Sequence, residues 1–179
     1  MNFLRLISAV AAAGAVTLSA ADLSKITEAK RWIPSECTIT QTGSGMTVNM
    51  PIDHKKGQYP KYLVGWPRLY LYKINPVEKD WSKAKSVSFK IKMEFTGTTP
   101  KQELIFRLYT QGPNDKKHLI YTFPVPGMVN NREVVATFPL DKVKNTGNVV
   151  MLGFSISESR YKHGENLKFT VSDFTLNDK

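Results

Sequence analysis

The side chains best suited to recognition chemistry lie in one short segment. Residues 63–72 read LVGWPRLYLY. Successive side chains of an extended strand point to opposite faces, so Leu69 and Leu71 would share one face. The other face would then carry an indole, a guanidinium and two phenols, from Trp66, Arg68, Tyr70 and Tyr72. A half-buried strand normally shows polar residues to water, so this face is a candidate binding surface.

A later segment repeats the theme. Arg107 and Tyr109 alternate with the apolar Phe106 and Leu108, so neither face of that strand is purely polar. We therefore take Arg107 and Tyr109 as second choices for ligand-binding residues. Tyr161, which falls in a predicted loop, is a third choice.

Two interpretations of these aromatic residues are open. In the first, they form an exposed platform, because sugar rings stack C–H patches on aromatic faces while Arg and Tyr donate hydrogen bonds to hydroxyls. In the second, the segment 32–51 covers this face and the rings fill a core. An exposed platform could equally bind another protein, as exposed apolar patches often do.

Motifs of catalysis are missing from the sequence. The three histidines, at positions 54, 118 and 163, have no zinc-ligand spacing, and no phosphate loop or nucleophile elbow is present. Cys37 is the only cysteine and is typical of a small buried hydrophobe. We predict no catalytic residue and no required cofactor, with a structural calcium ion held by loop oxygens left open.

A glycoside hydrolase would need two carboxylates at a set separation. The candidates are Asp80, Asp115, Glu158, Glu165 and Asp173. Their spacing along the chain does not pair any two of them, so turn, cap and surface roles are the simpler interpretation.

From Cys37 onward, apolar residues recur at every second position, which is the period of half-buried strands. The runs occupy residues 87–95, 104–108, 119–123, 134–138, 150–156 and 167–171. After Val171 the parity slips by one residue before Phe174, which predicts a β-bulge at Ser172-Asp173.

Gly, Pro, Asn and Asp separate these runs, as expected for turns. Only residues 23–31 could make a short helix, with Asp22 or Ser24 as its N-cap. Strands at this spacing without intervening helices indicate an antiparallel sandwich or barrel.

The first 21 residues have the pattern of a cleavable signal peptide. Arg5 is followed by an uncharged run rich in Ala, Val and Leu over 6–18, and then by the small residues Ser19, Ala20 and Ala21. The run is shorter than the ~20 residues that span a bilayer. We predict cleavage after Ala21, no later membrane insertion, a single domain over 22–179, and a secreted location that is periplasmic, extracellular or at the cell surface.

The chain is basic, with 25 Lys plus Arg against 15 Asp plus Glu and a net charge of +10. Such a charge can attract acidic polymers. The lysines are dispersed, however, which favours a solvated surface over a dedicated anion site. The predicted secreted location argues against a nucleic-acid partner.

Six short motifs mark the framework of the predicted sandwich: Tyr59-Pro60, Trp66 to Leu69, Lys79 to Ser82, Leu104 to Tyr109, Arg132 to Leu140 and Glu165 to Leu176. Together they resemble the jelly-roll carbohydrate-binding modules, galactose-binding-like β-sandwiches often attached to bacterial glycoside hydrolases. In those modules the Trp of an Asp-Trp-Ser turn packs on the sandwich rim, so the resemblance assigns Trp81 to the scaffold.

We therefore predict an all-β, antiparallel jelly-roll β-sandwich of about eight to ten strands, with at most one short N-terminal helix. The resemblance implies a non-catalytic, lectin-like module that binds a glycan or polysaccharide through aromatic stacking and hydrogen bonds from Arg and Tyr. A structural or adhesion protein within a cell-surface or multi-protein assembly is the first alternative. A small secreted hydrolase or lyase is the second.

Overall fold

The alternating apolar runs of the sequence become strands in the computed structural model, which describes residues 21–56, 66–97 and 103–178. Ten strands form in these ranges: β1 (Ile33–Ser35), β2 (Thr38–Thr42), β3 (Gly45–Pro51), β4 (Arg68–Leu71), β5 (Ala84–Thr96), β6 (Leu104–Thr110), β7 (Leu119–Pro124), β8 (Glu133–Pro139), β9 (Val149–Ile156) and β10 (Asn166–Asp178). The number of strands agrees with the prediction.

The strands form two five-stranded sheets. Sheet A has the order β1-β4-β9-β6-β7, and sheet B has the order β2-β3-β10-β5-β8. All neighbouring strands run antiparallel. Only the β2–β3 and β6–β7 connections stay within one sheet, and the other described connections cross from one sheet to the other, as in a jelly roll. The predicted antiparallel β-sandwich is confirmed.

The core lies between the two sheets and is built from the apolar side of each strand. Phe89 of sheet B meets Phe106 and Phe154 of sheet A, with ring centroids 5.3 and 5.5 Å apart. Trp81 is fully buried, and its indole N–H donates to the carbonyl of Glu78 at 2.7 Å. The scaffold position predicted for Trp81 is therefore the one it occupies.

The parity slip near the end of the chain is a β-bulge. The pairing of β10 with β5 shifts register between Ser172 and Thr175. Asp173 adopts a φ of +53° there, and its carboxylate pairs with Lys90 at 2.9 Å. The predicted bulge at Ser172-Asp173 is confirmed.

The predicted N-terminal helix over 23–31 is reduced to turns and a single 3₁₀ turn at Ala29–Arg31. Leu23 and Ile26 are buried, and the indole N–H of Trp32 donates to the Ile26 carbonyl at 2.7 Å. Local turn hydrogen bonds, from the Ile26 N–H to the Leu23 carbonyl and from the Glu28 N–H to the Lys25 carbonyl, take the place of the helical bonds. Two further 3₁₀ turns, Pro76–Glu78 and Glu158–Arg160, carried no clear sequence signal.

A buried ion pair anchors this N-terminal segment. Both terminal nitrogens of Arg31 donate to Glu78, each at 2.7 Å, and Glu78 is only 1% exposed. Burial opposes ionisation of Glu78, but Arg31 and the backbone N–H of Asn75 outweigh that effect and lower the pKa of this carboxyl. Glu78 is therefore ionised and part of the framework.

Two sequence features fall outside the described residues: the predicted signal peptide, apart from Ala21, and the Tyr59-Pro60 motif. The helical turns of the described ranges have three residues each, too few to span a bilayer.

Candidate functional site

The outward face of sheet A carries the side chains singled out by the sequence. Leu69 and Leu71 of β4 are fully buried in the core, so Arg68 and Tyr70 point to the opposite side. Across the sheet, Tyr70 lies opposite Gly153 of β9, and Gly153 lies opposite Arg107 of β6. The register thus places Tyr70 and Arg107 in one row, separated by a single residue without a side chain.

Gly153 provides the space that Tyr70 occupies. A Cβ atom at position 153 would stand 2.5 Å from Cδ1 and Cε1 of the Tyr70 ring. The Tyr70 ring therefore packs directly on the backbone of β9. Sequence reasoning missed Gly153, whose only signal was a glycine inside a strand pattern, a mark of close approach.

Three tyrosines form a cluster around this position. The Tyr70 ring centroid lies 5.5 Å from that of Tyr72 and 6.1 Å from that of Tyr109. Tyr72 is 52% exposed, whereas Tyr109 is 6% exposed. Burial, aided by the Tyr70 hydroxyl, raises the pKa of Tyr109 to about 12, so this phenol stays protonated at neutral pH. Tyr109 is thus the buried member of the cluster, packed against Tyr70, and Tyr72 is the member whose ring is exposed to solvent.

Trp66 lies beside this cluster with two cations against its ring. The guanidinium carbons of Arg68 and Arg107 lie 5.5 and 5.9 Å from the indole centroid, within cation–π range. Arg68 also donates to the Trp66 carbonyl at 3.2 Å, and Arg107 donates to Ser155 Oγ at 3.1 Å. Despite these neighbours, Trp66 remains 47% exposed.

Glu36 holds the backbone just before β4, a role that the sequence analysis did not predict. The backbone N–H of Trp66 donates to Glu36 Oε2 at 3.0 Å. Glu36 has a φ of +56°, a conformation that non-glycine residues rarely adopt. Its residue type carried no sequence signal for this role, because the contact spans 30 positions.

Six of the seven predicted ligand-binding residues come together on this surface. We call it the aromatic platform: Trp66, Arg68, Tyr70, Tyr72, Arg107 and Tyr109. Tyr161 does not join it. It is 4% exposed and packs in the hydrophobic core, so its selection as a loop ligand residue was wrong, because its ring fills space between elements.

The segment 32–51 does not cover the platform. Its strand β1 pairs edge to edge with β4, while β2 and β3 belong to sheet B. The interpretation that this segment buries the aromatic face is therefore wrong. Within the described ranges, the exposed aromatic side chains are Trp66 and Tyr72, and both lie here.

The remaining polar candidates do not assemble a reactive site. The described residues contain no group of three or more His, Cys, Asp or Glu side chains that could hold a metal ion. His54 and His163, distant in sequence, do meet, with ring centroids 5.9 Å apart. Burial raises the pKa of the Cys37 thiol to about 11, which disfavours a nucleophilic thiolate.

Of the five carboxylates considered for hydrolysis, the four whose side chains the structure describes have structural partners, including Asp173, which pairs with Lys90. Asp80 accepts from the Ser82 hydroxyl at 2.6 Å, and Asp115 accepts from the Gly112 N–H at 3.2 Å. Glu165 accepts from the Lys162 N–H at 2.8 Å. These are turn and loop roles, as the sequence suggested.

Sheet B carries a polar hollow on its own side of the molecule. Its volume is about 200 Å³, and its lining includes Asn130, Asn131, Asn166 and the ion pair between Glu94 and Lys168. Asn130 pairs both its amide oxygen and nitrogen with the backbone of Phe95. The side chains of this hollow are thus largely occupied with one another and with the backbone.

No family model matches the chain, and no curated protein matches it. Solved structures do. A carbohydrate-binding module of family 28, specific for non-crystalline cellulose, matches at 13% identity and a TM-score of 0.51, covering 84% of this chain and 89% of that module. An exo-β-agarase matches at 12% identity and a TM-score of 0.51, covering 88% of this chain and 24% of the agarase.

A family 11 carbohydrate-binding module from Clostridium thermocellum, in complex with a β-1,3-1,4-mixed-linked tetrasaccharide, matches at 17% identity. Its TM-score is 0.48, with 83% of this chain and 89% of that module covered. The family 28 match shows that this chain has the β-sandwich fold of carbohydrate-binding modules, as the sequence motifs had suggested.

Proposed function

We propose that this chain is a secreted, non-catalytic carbohydrate-binding protein that holds a glycan on the aromatic platform. One observation carries the proposal. The exposed aromatic side chains of the described residues, Trp66 and Tyr72, stand on a single face of a single sheet. They share that face with two guanidiniums and two further phenols.

The chemistry of the platform suits a sugar. An aromatic ring offers a flat face to the C–H patches of a pyranose, while guanidinium and phenol groups donate hydrogen bonds to its hydroxyls. The rings are already held in place, since Tyr70 rests on Gly153 and the Trp66 backbone is tied to Glu36. A preformed surface loses little side-chain entropy on binding, which favours useful affinity from a modest contact area.

Two further arguments support this function. The fold is shared with a family 28 module that binds non-crystalline cellulose, so a β-sandwich of this kind can present a polysaccharide site. The predicted signal peptide would export the chain to compartments where polysaccharides occur. Fold likeness alone does not transfer a ligand, so the platform residues are the ground for the proposal.

The test is binding of the exported domain, residues 22–179, to an array of neutral and acidic glycans. Trp66→Ala should reduce binding at least tenfold while changing the melting temperature little, because the indole is half exposed. Val135→Ala is the matched control, since Val135 is 62% exposed on sheet B and its loss should leave binding intact. A wild-type domain that binds no glycan would overturn the proposal.

A protein partner is the second candidate for this face. Ile33 lies beside Tyr70 in the register and is 59% exposed, and Ile120 lies beside Tyr109 and is 56% exposed. These two isoleucines extend the platform with apolar surface that a sugar would not need. A silent glycan array together with self-association in sedimentation, weakened by Ile33→Ser, would favour this candidate.

A further inference from the structure

The aromatic platform carries two positive charges, and an inference from them deepens the proposed function, on which it rests. Arg68 and Arg107 approach the same Trp66 ring to 5.5 and 5.9 Å. A neutral sugar needs hydrogen-bond donors but no net charge. The charge of the face is therefore a clue to the class of glycan.

Arg107 has neutral partners. Its Nε donates to Ser155 Oγ at 3.1 Å, and its side chain also contacts the hydroxyl of Tyr109. The ion pairs within the described ranges do not include it; those of arginine are Arg31 with Glu78 and Arg160 with Glu103. All 15 acidic residues of the chain lie in those ranges, and only the side chain of Glu158 is undescribed. A guanidinium offers five N–H donors, and the contacts of Arg107 leave donors for a ligand.

The two described carboxylates next to the platform strands contact groups other than Arg107, although Glu36 Oε1 is buried without a hydrogen-bond partner among the described residues. Glu36 accepts the backbone N–H of Trp66 at 3.0 Å. Glu103, at the start of β6, pairs with Arg160 at 3.1 Å. An anionic ligand would therefore meet the guanidinium of Arg107 without first displacing an acidic side chain from it.

We infer that the platform selects an acidic glycan, whose carboxylate or sulfate groups are held by Arg107 with Arg68 beside it. Uronates and sulfated sugars carry their charge at the ring edge and keep C–H patches on the ring face. Such a sugar can place its face on the exposed part of Trp66 while its edge reaches the guanidiniums. Guanidinium matches the two oxygens of a carboxylate or sulfate in a forked hydrogen bond, which is stronger than a bond to a hydroxyl.

The same arginines could instead do no more than brace the indole, so the experiment must separate charge recognition from support. Two matched ligand pairs do this. Polygalacturonate and its methyl ester differ only in whether the carboxyl group is charged, and carrageenan and chemically desulfated carrageenan differ only in sulfate. Binding is measured by affinity electrophoresis or calorimetry at two salt concentrations, with wild type, Arg107→Gln, Arg107→Lys and Lys92→Gln. Lys92 is exposed on sheet B, so its variant loses the same charge away from the platform.

We expect the acidic member of at least one pair to bind at least tenfold more tightly than its neutral partner, and the responding pair identifies carboxylate or sulfate as the charge. Arg107→Gln should reduce that binding about tenfold to a hundredfold, in line with the loss of a charge-assisted hydrogen bond. Arg107→Lys should restore it only in part, because a lysine lacks the fork. Lys92→Gln should change it less than twofold. Melting curves establish that each variant is folded.

Three results would overturn the inference. Equal binding to both members of each pair would leave a glycan-binding protein without acid selectivity, so the proposed function would survive alone. Equal losses in Arg107→Gln and Lys92→Gln would assign acid binding to the diffuse net charge. Binding to none of the four polymers and to no glycan on the array would remove both the inference and the proposed function.

Discussion

The outward faces of the two sheets have the same pleat but opposite chemistry. On sheet B, polar side chains pair with one another across strands: Thr47 with Thr170 at 2.8 Å, Lys168 with Glu94 at 3.0 Å and Asn166 with Asn49 at 2.7 Å. On sheet A, rings and guanidiniums occupy the corresponding positions, and Arg107 meets a ring and hydroxyls in place of a carboxylate.

This difference shows how one scaffold separates a stable surface from a binding surface. A face whose charges neutralise one another gains little by contacting a ligand, because its groups already have partners. A face with exposed rings and donors gains from burial and from new hydrogen bonds. Alternation along each strand lets both faces share a core without interfering with it.

The largest expected effect tests the core that both faces share. Trp81→Ala should destabilise the domain by about 3–5 kcal/mol, as truncation of a buried Trp does, and should lower binding only by unfolding the domain. Thermal and denaturant unfolding measure the change. Below its own melting temperature, the folded variant should bind glycan as tightly as wild type does. A melting curve like that of wild type would contradict the scaffold role of Trp81.

The next largest effect should come from the buried ion pair between Arg31 and Glu78. Arg31→Ala should cost about 3 kcal/mol, because it leaves the buried carboxylate of Glu78 without its charge partner. Chemical denaturation measures this cost. A loss below about 1 kcal/mol would show that Glu78 finds another partner or takes up a proton.

The ion pair between Arg31 and Glu78 also predicts that the free energy of unfolding falls at acidic pH. The pKa of Glu78 is lower in the folded state than its usual value of 4.5. Its stabilisation is therefore complete above the unfolded pKa and is lost as the pH falls through the folded pKa. Unfolding measured between pH 7 and pH 3 should show this loss in wild type. Glu78→Gln should be less stable at pH 7 and should lack this part of the pH dependence.

Gly153→Ala sharpens the contrast between the faces. The added methyl would collide with the Tyr70 ring, so we expect overpacking to cost about 1–3 kcal/mol and glycan binding to fall at least tenfold. The double variant Gly153→Ala with Tyr70→Ala should regain stability but not binding. Unchanged binding in the single variant would show that Tyr70 does not belong to the site.

The smallest effect belongs to sheet B. Lys168→Ala breaks an ion pair whose side chains are 43% and 37% exposed, so it should cost no more than about 1 kcal/mol and leave glycan binding unchanged. A clear loss of binding in this variant would mean that the polar hollow takes part in recognition and would end the contrast between the two faces.

Much of the sandwich could be predicted from the sequence because its signals are local. Alternation over 87–95 appears as β5, and the parity slip after Val171 appears as a bulge. The grouping of Trp66, Arg68, Tyr70 and Tyr72 on one side follows from the same period of two. The prediction that Tyr161 is an exposed loop residue failed because a position in a loop does not reveal burial, which depends on residues far along the chain.

The sequence by itself determined the strands from β4 to β10, most of their inward and outward residues and the composition of the candidate surface, since a pleated backbone alternates without reference to any distant segment. Only the tertiary structure decided which strands became neighbours. It placed Arg107 of β6 near the Trp66 ring and packed the Tyr70 ring on Gly153. It also brought the Glu36 carboxylate to the Trp66 backbone N–H and placed the strands of residues 38–51 in sheet B. The physical reason is that strand order and register are set by the packing of the whole core, and no local pattern contains that information.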